Sequence, residues 1–377
     1  MKNDTEIYLD YNATTPVDHR VFEGMLPWLQ GVHGNASSNH AYGRRAAAKV
    51  QQSREIIASA LGLPANGLVF TSGATESDNL ALRGANGRVI VAATEHKAVL
   101  DTARKLEHVI VPVDRDGKID EDYLEDRIGG AALVSVMLAN NETGVVQNLS
   151  TIVEMARSHE VLVHTDATQA FGKIPLQLDH LDVDMVSISS HKIYGPQGIG
   201  ALWIKRGVNI SPMITGGGHE GGIRSGTLNI AGIVGFGIAA QTIALEEDSE
   251  RSRRIVDLIL THLKGSGPFE VFSDHNAGLP NTLSIRFIGA DAEAVIANAP
   301  EVAISTGSAC TSMTPEPSHV LRAMGISTSA AYETLRISVG RGIDSDNAKR
   351  AAEVISRAVI RVRELEHEFR EGEVFER

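Results

Sequence analysis

The sequence predicts an α/β protein of two parts: a mostly parallel β-sheet covered by helices, followed by a smaller α+β domain. Through the first two thirds of the chain, short apolar segments alternate with helical patterns, which is typical of βα units in a parallel sheet. After about residue 243 this alternation stops, and a charged helix, three separated strands and a long helix follow. A length of 377 residues fits two domains better than one simple core.

Six strands are predicted in the first part of the chain. The apolar segments that predict them lie at residues 68–71, 88–93, 108–113, 132–138, 161–165 and 183–189. A helical pattern begins at about Glu76, after the first strand, and another covers residues 96–107 after the second. Because ligands of such sheets bind beyond the carboxyl ends of the strands, the residues that follow each strand are the candidates for a functional site.

The C-terminal part predicts a second set of elements. A charged helix covers residues 246–264, strands follow at residues 269–273, 281–287 and 334–338, and a terminal helix begins at about Asp344. The terminal helix carries an apolar stripe at helical spacing, which we interpret as a core face: Ala348, Ala351, Ala352, Ile355, Val359 and Val362.

Composition and charge argue against several function classes. A formal net charge of −12 disfavours a nucleic-acid surface, because phosphate contacts need clustered Lys and Arg. No apolar stretch of membrane-spanning length occurs, and the N-terminus lacks the order of a signal peptide, so we expect a cytoplasmic protein without a membrane partner. The single cysteine, Cys310, rules out an intrachain disulfide and a cysteine-cluster metal site, and we expect no metal.

The segment SSHKIYG at residues 189–195 contains the most informative lysine. Lys192 comes just past the end of a predicted buried strand, beside His191 and two serines. A lysine in a desolvated pocket loses its proton readily and can form a Schiff base with a carbonyl compound. An isolated Ser-His-Lys would be read as a surface loop, but other strand ends supply the groups that such a lysine needs.

Two strand ends carry groups suited to a flat, phosphorylated ligand. At residues 71–76, small residues before a helix leave backbone N–H groups and a hydroxyl for a phosphate. The alternative at this position is a simple N-cap formed by Ser72 or Thr75. His96 is placed to stack on an aromatic ring, and the alternative is an exposed residue at a capped helix start.

Two further strand ends complete the set. Asp166 is suited to pair with a protonated pyridine nitrogen, which would keep the ring an electron sink, although an N-cap aspartate is the alternative. Asn141 is suited to bond a ring hydroxyl, or belongs to an ordinary Asn-rich turn. Together with Lys192, these groups are what pyridoxal 5′-phosphate (PLP) requires.

Three features lie outside the predicted strand ends. The glycine-rich residues 215–227 predict a flexible loop, which could bring a second subunit's hydroxyl or Arg to the phosphate. Cys310 lies in a small, polar run that favours a mobile loop and a reactive thiol over a packed core residue. Arg336 places a charge in an apolar strand, and it needs either a substrate carboxylate or a structural salt bridge.

The order and spacing of short motifs resemble those of one family almost end to end. The motifs are YLDYNATTP at residues 8–16, GN at 34–35, TSGATE at 71–76, TEHKAV at 94–99, NNE at 140–142, DATQ at 166–169, HKIYGP at 191–196, RSGT at 224–227 and GSACTS at 307–312. In these motifs the chain resembles the PLP-dependent cysteine desulfurases of the NifS/IscS type, within the class V aminotransferase-like enzymes of fold-type I.

The resemblance implies a fold and a set of residue roles. It implies a large domain over residues 16–245 with a mostly parallel seven-stranded sheet, and a small α+β domain from residues 1–15 and 246–377 that carries the cysteine loop. Lys192, Cys310 and His96 would be catalytic, with Lys192 forming a Schiff base with PLP and His96 stacking on its ring. The phosphate would be bound by Ala74, Thr75, Ser189 and His191, and by Thr227 from the partner subunit. The ring would contact Asn141, Asp166 and Gln169. The substrate carboxylate would be bound by Asn35 and Arg336.

The implied reaction converts L-cysteine to L-alanine and leaves the sulfur on Cys310 as a persulfide. A homodimer with shared active sites would pass that sulfur to a protein acceptor for iron–sulfur cluster assembly, tRNA thiolation or DNA phosphorothioation. The acidic C-terminal tail differs from the tail by which housekeeping members dock their scaffold, so the acceptor stays open. The alternatives are a selenocysteine lyase or another class V PLP enzyme, and a non-catalytic sulfur-transfer scaffold subunit.

Overall fold

A computed structural model describes residues 6–306 and 316–375 of the chain. Within these ranges the β-strands are Ile7–Tyr8 (β1), Leu68–Thr71 (β2), Val89–Ala92 (β3), His108–Val111 (β4), Leu133–Ser135 (β5), Leu162–Asp166 (β6), Met185–Ser189 (β7), Gly200–Ile204 (β8), Phe269–Val271 (β9), Thr282–Phe287 (β10), Val302–Ala303 (β11) and Thr334–Ser338 (β12). The α-helices are His19–Gln30 (α1), Ala41–Leu61 (α2), Ala74–Gly84 (α3), Lys97–Ala103 (α4), Glu121–Ile128 (α5), Leu149–Ser158 (α6), Leu178–Leu181 (α7), Ile230–Gln241 (α8), Leu245–Leu263 (α9), Ala292–Ala297 (α10), His319–Ala323 (α11), Thr328–Tyr332 (α12) and Ser345–Phe375 (α13).

The main sheet has seven strands in the order β2-β8-β7-β6-β5-β3-β4, which confirms the expected α/β class and a mostly parallel sheet. Strands β7, β6, β5, β3 and β4 are parallel to one another. Strand β8 lies between β2 and β7 and is antiparallel to both. The carboxyl ends of β5, β6 and β7 therefore meet at one edge, where the sequence predicts the site.

Strand β8 is the strand that the six apolar segments did not include. It lies against the turn between β2 and α3, and Gly200 at its start makes this possible. A Cβ atom at Gly200 would lie 2.7 Å from the Gly73 Cα atom and 2.7 Å from the Ile188 carbonyl oxygen. Both neighbours are backbone, so only a glycine fits between them without moving the turn.

A second core forms from the two ends of the chain. Strands β12, β10 and β9 form an antiparallel sheet, and β1 pairs in parallel with β11. The predicted stripe of α13 is buried in this core, where Ala348, Ile355 and Val359 join Leu9 from the N-terminal segment. The domain boundaries at residues 15/16 and 245/246 stay a prediction.

Most elements are shorter than their sequence patterns indicate. The helix predicted over residues 96–107 is α4, which begins after His96 because that side chain caps it, and ends at Ala103. The strand predicted over residues 132–138 is β5, but its continuation stays bonded to β6, since the N–H groups of Val136 and Leu138 donate to the carbonyls of His164 and Asp166. The apolar pattern therefore covers all the residues of this segment that bond to β6, and not only the regular strand β5.

Among the residues described, no helix alone combines the length and apolarity of a membrane span. Helices α8 and α9 have the length and apolarity of a membrane span only when they are taken together, and this pair is bent by 77°.

The close approach at Gly200 yields a stability prediction. Gly200→Ala should lower the free energy of unfolding by about 1–3 kcal/mol, because the added methyl group overpacks against two backbone atoms. The measurement is chemical denaturation of the wild type and the variant. Gly31→Ala is the matched control, because a Cβ atom there meets nothing within 4 Å. Equal losses in the two variants would contradict the packing argument.

Candidate active site

A cavity of about 700 Å³ lies between the main sheet and the second core. Its walls come from the turns after β2, β3, β5, β6 and β7, and from Asp10, Ser305 and Arg336 on the side of the second core. The cavity brings together ten of the predicted site residues: Ala74, Thr75, His96, Asn141, Asp166, Gln169, Ser189, His191, Lys192 and Arg336. Residues that are more than 260 positions apart in sequence thus face one space.

Lys192 lies in the single helical turn that follows β7 and is partly buried. Its ammonium nitrogen Nζ donates to the main-chain carbonyls of Asn12, at 2.5 Å, and Ala13, at 2.7 Å. Burial lowers the pKa of Lys192 to about 8, and the positive charge of Arg336 acts in the same direction. A lysine with such a pKa is a nucleophile and a proton acceptor near neutral pH.

The turn between β2 and α3 presents an uncapped helix N-terminus to the cavity. Gly73 is the N-cap residue and no side chain caps it, so neither Ser72 nor Thr75 takes the capping role that the sequence left open. The uncapped N–H groups and the positive end of the helix dipole form an anion site. Ser189 and His191 line the cavity beside this turn.

His191 is a neutral hydrogen-bonding group at this end of the cavity. Burial, together with the positive charges of Lys192 and Lys173, lowers its pKa to about 4. Its Nδ1 atom is 3.1 Å from the hydroxyl oxygen of Thr14. The imidazole therefore contributes a hydrogen bond to the site at neutral pH, and no charge.

His96 and Asp166 combine local backbone bonds with a place in the cavity wall. His96 is the N-cap of α4, and its Nδ1 atom accepts a hydrogen bond from the N–H of Ala98 at 3.1 Å, which fixes the ring while leaving it accessible. Asp166 ends β6, and its Oδ1 atom accepts from the N–H of Thr168 at 2.8 Å. His96 is thus an exposed residue at a capped helix start, and its ring also lines the cavity, while stacking on a ligand stays a prediction.

Arg336 forms the structural salt bridge that was one of its two alternatives. One guanidinium nitrogen is 2.6 Å from Asp10 Oδ1, and another donates to the carbonyl of Asn141 at 3.1 Å. The side chain is 7% exposed. The Nε atom is buried and has no hydrogen-bond partner within the described residues. A structural salt bridge thus coexists with a free donor.

Asn12 connects Lys192 to both cores. The sequence analysis assigned no chemical role to this residue. Its carbonyl accepts from Lys192 and from Gln169 Nε2, the latter at 2.9 Å. Its side chain accepts from Lys173 Nζ at 3.2 Å and donates to Thr282 Oγ1 at 2.8 Å. Each of these contacts joins residues that are more than 150 positions apart in the sequence, so no local spacing could have revealed them.

Gln169 and Lys173 form the inner end of this network. Lys173 Nζ donates to Gln169 Oε1 at 2.6 Å, which orients the Gln169 amide so that its Nε2 atom faces the carbonyl of Asn12. Burial lowers the pKa of Lys173 well below its usual value, with further lowering by Lys192 and Arg336. Sequence reasoning missed Lys173, whose only local signal is its place shortly after a strand end.

Two predicted site residues lie outside the cavity wall, and a third falls outside the described residues. Asn35 is exposed and does not line the cavity; its Oδ1 atom accepts from the N–H of Ser37 at 2.9 Å. Thr227 is also exposed and outside the cavity wall. Cys310 lies outside the described residues, between Thr306 and Glu316.

Comparison with known proteins shows which family the chain is similar to. Residues 7–350 match the protein family described as aminotransferase class-V. The chain is 44% identical over 387 residues to a cysteine desulfurase of Frankia sp. (strain EuIK1), covering 95% of this chain and 92% of that protein. A solved NifS-like protein has a TM-score of 0.87 at 34% identity, covering 93% and 98% of the two chains. A structure of SspA in complex with cysteine has a TM-score of 0.80 at 35% identity, covering 89% and 99%.

The environment of Lys192 yields a pH prediction. In the ligand-free protein, reaction of Lys192 with an amine-specific reagent should rise with pH to half its maximum at about pH 8. Arg336→Met should move this midpoint to higher pH, because it removes a positive charge that disfavours the ammonium form. The measurement is mass spectrometry of the labelled peptide, with the exposed Lys49 as internal reference for the reagent. An unshifted midpoint in the variant would contradict the assigned electrostatic cause.

Proposed function

This chain belongs to the aminotransferase class-V family and is a cysteine desulfurase within it, and from that membership we propose how its own residues bind PLP and L-cysteine. The observation that carries the proposal is the convergence of a low-pKa lysine, an uncapped helix N-terminus, a histidine ring and a strand-end aspartate on one cavity.

The residues present fit PLP. The N-terminus of α3 carries no side-chain cap, and Gly73 leaves space for an anion there, with Ser189 and His191 beside it. Ala74 and Thr75 would hold the phosphate through this turn. His96 would stack on the ring, Asp166 would pair with the ring nitrogen, and Asn141 and Gln169 would contact its oxygen side.

When bound, PLP supplies an electron sink for negative charge at the α-carbon of the substrate. The chain's part is to hold and move protons around that carbon. Lys192, with its pKa of about 8, is the group that would take the α-proton and return it. The carbonyls of Asn12 and Ala13 orient its Nζ atom, and those bonds break when the lysine engages a ligand.

Arg336 is the proposed anchor for the substrate carboxylate. Its Nε atom is buried without a partner among the described residues, and a carboxylate placed there would satisfy it. L-cysteine is the proposed substrate, supported by the solved relative in complex with cysteine. We propose that Asn35, exposed in the isolated chain, joins this anchor only in the assembled enzyme.

Cys310 is the proposed sulfur acceptor. Its thiolate would attack the substrate sulfur, so that a sulfur–sulfur bond forms while the carbon–sulfur bond breaks. The electron pair of the broken bond stays with the three-carbon product, which takes up a proton and leaves as L-alanine. Because the chain has one cysteine, it cannot resolve the persulfide internally, and the proposed acceptor of the sulfur is another protein.

The proposed assembly is a homodimer with shared sites. Thr227 lies outside the cavity of its own chain, in an exposed stretch of the glycine-rich segment, which suits a residue that serves the other subunit's phosphate site. The destination of the sulfur stays open between iron–sulfur cluster assembly, tRNA thiolation and DNA phosphorothioation.

The role of Cys310 can be tested with L-cysteine and a reductant. The wild type should be yellow and form alanine and sulfide in equal amounts. Cys310→Ser should keep the colour and lower turnover at least about 100-fold, because it removes the thiolate nucleophile. Without reductant, the intact mass of the wild type should rise by one sulfur atom and that of the variant should not. Alanine formation at the wild-type rate by Cys310→Ser would overturn this role.

The role of Lys192 is tested separately. Lys192→Arg should lose the yellow absorbance and lower turnover at least about 100-fold, the usual scale for loss of a proton-transfer group. Lys205→Arg is the matched control, since Lys205 pairs with Asp182 away from the cavity. A yellow and active Lys192→Arg enzyme would show that another amine fills the role.

A further inference from the structure

Glu76 poses an electrostatic problem for the anion site. It is the third residue of α3, it lines the cavity, and its side chain is 9% exposed. Its carboxylate therefore shares the first helical turn with the N–H groups of Ala74 and Thr75. A negative charge at this position would repel the phosphate that the turn is proposed to bind.

Arg224 lies directly against this carboxylate. Its Nε atom is 2.7 Å from Glu76 Oε1, and its Nη2 atom is 3.1 Å from Glu76 Oε2. The N–H of Ser72 also donates to Oε2, at 2.8 Å. Burial raises the pKa of Glu76, but the hydrogen bonds from Arg224 and Ser72 outweigh it, and the pKa lies below its usual value. The pair is therefore a carboxylate fully engaged by a bidentate guanidinium.

A second ion pair fastens the same glycine-rich segment a few residues earlier. Both carboxylate oxygens of Glu220 accept from Arg54, at 2.7 and 2.8 Å, and one also accepts from the N–H of Phe70 at 2.7 Å. Phe70 belongs to β2, the strand that leads into the anion site. Two residues of the predicted glycine-rich loop, Glu220 and Arg224, are therefore both bonded to the β2–α3 region.

We propose that Arg224 is a positioning residue for the phosphate of the cofactor. It neutralises Glu76, so that the first turn of α3 presents its N–H groups to an anion without an opposing charge. Glu76 in turn holds the N–H of Ser72 and keeps the turn in shape. This inference rests on the proposed binding of PLP.

The inference predicts a pattern across four proteins and two ligands. Ligand-free wild type, Arg224→Met, Glu76→Gln and the double variant are titrated with PLP and with pyridoxal, which lacks the phosphate. Arg224→Met should bind PLP at least about tenfold more weakly, because it exposes the carboxylate to the phosphate. Its affinity for pyridoxal should stay within about twofold. The double variant should regain most of the PLP affinity, because the opposing charge is gone.

Two further variants separate charge from structure. Arg224→Lys keeps the positive charge and should retain most of the PLP affinity. Arg83→Met removes a positive charge from the last turn of the same helix and should change neither ligand's affinity. Thermal unfolding of each protein checks that the variants are folded.

Each outcome has a distinct meaning. If Arg224→Met weakens PLP and pyridoxal equally, or the double variant binds PLP no better than Arg224→Met, the pair is only a structural brace and the inference is overturned. If the wild type prefers PLP over pyridoxal and Arg224→Met keeps that preference, the inference falls while PLP binding stands. If the wild type shows no preference for the phosphorylated ligand, the proposed phosphate site itself fails.

Discussion

The carbonyl of Asn12 is the contact on which the active site depends. Asn12 follows β1 near the start of the sequence, yet its carbonyl accepts hydrogen bonds from the Nζ atom of Lys192 and from the amide of Gln169. Its own position is set by the second core, since its N–H donates to Ser338 Oγ at 2.9 Å and its side chain bonds Thr282. The reactive lysine, carried by the main sheet, is therefore held by a segment that the other core fixes in place.

The charges around this contact are arranged so that few carboxylates compete in the cavity. Burial raises the pKa of Asp78 and of Glu95 well above their usual values, and each also interacts with Asp166. Burial lowers the pKa of His164 to about 3, and its two ring nitrogens are each 2.8 Å from a serine hydroxyl. Burial thus disfavours negative charge on Asp78 and Glu95, while Arg336 pairs with Asp10 and Arg224 pairs with Glu76 in the cavity wall.

The sequence predicted the part of this site that follows from strand order. Lys192, Asp166, Asn141 and His96 each come after a strand, and parallel strands bring such residues to one edge whatever the details of packing. The sequence could not predict that Arg336 pairs with Asp10, nor that Arg224 reaches Glu76, because these contacts join elements whose relative placement depends on both cores. The same holds for β8: its short apolar run follows a glycine-rich turn, and nothing local indicates that it inserts between β2 and β7 in the opposite direction. Where a residue's role depends on contacts with the other core, the local sequence pattern does not reveal that role.

The backbone beside Lys192 shows how far this dependence extends. Tyr194 has a φ of 68°, a left-handed conformation that is rare for a bulky residue and costs about 1–3 kcal/mol. Such a conformation persists only if its surroundings impose it. The N–H of Arg341 donates to the Tyr194 hydroxyl at 2.8 Å, and the Arg341 guanidinium lies 4.4 Å from the centre of its ring. Arg341 is itself held by Asp248 at 2.6 Å. The turn also has bonds of its own, since the N–H groups of Ile193 and Gly195 donate to the carbonyl of Ser190 and the N–H of Tyr194 donates to Thr15 Oγ1 at 2.8 Å. Because Arg341 belongs to the segment between β12 and α13, the second core adds its contacts to these bonds. The conformation of the turn that carries Lys192 is therefore supported from both cores.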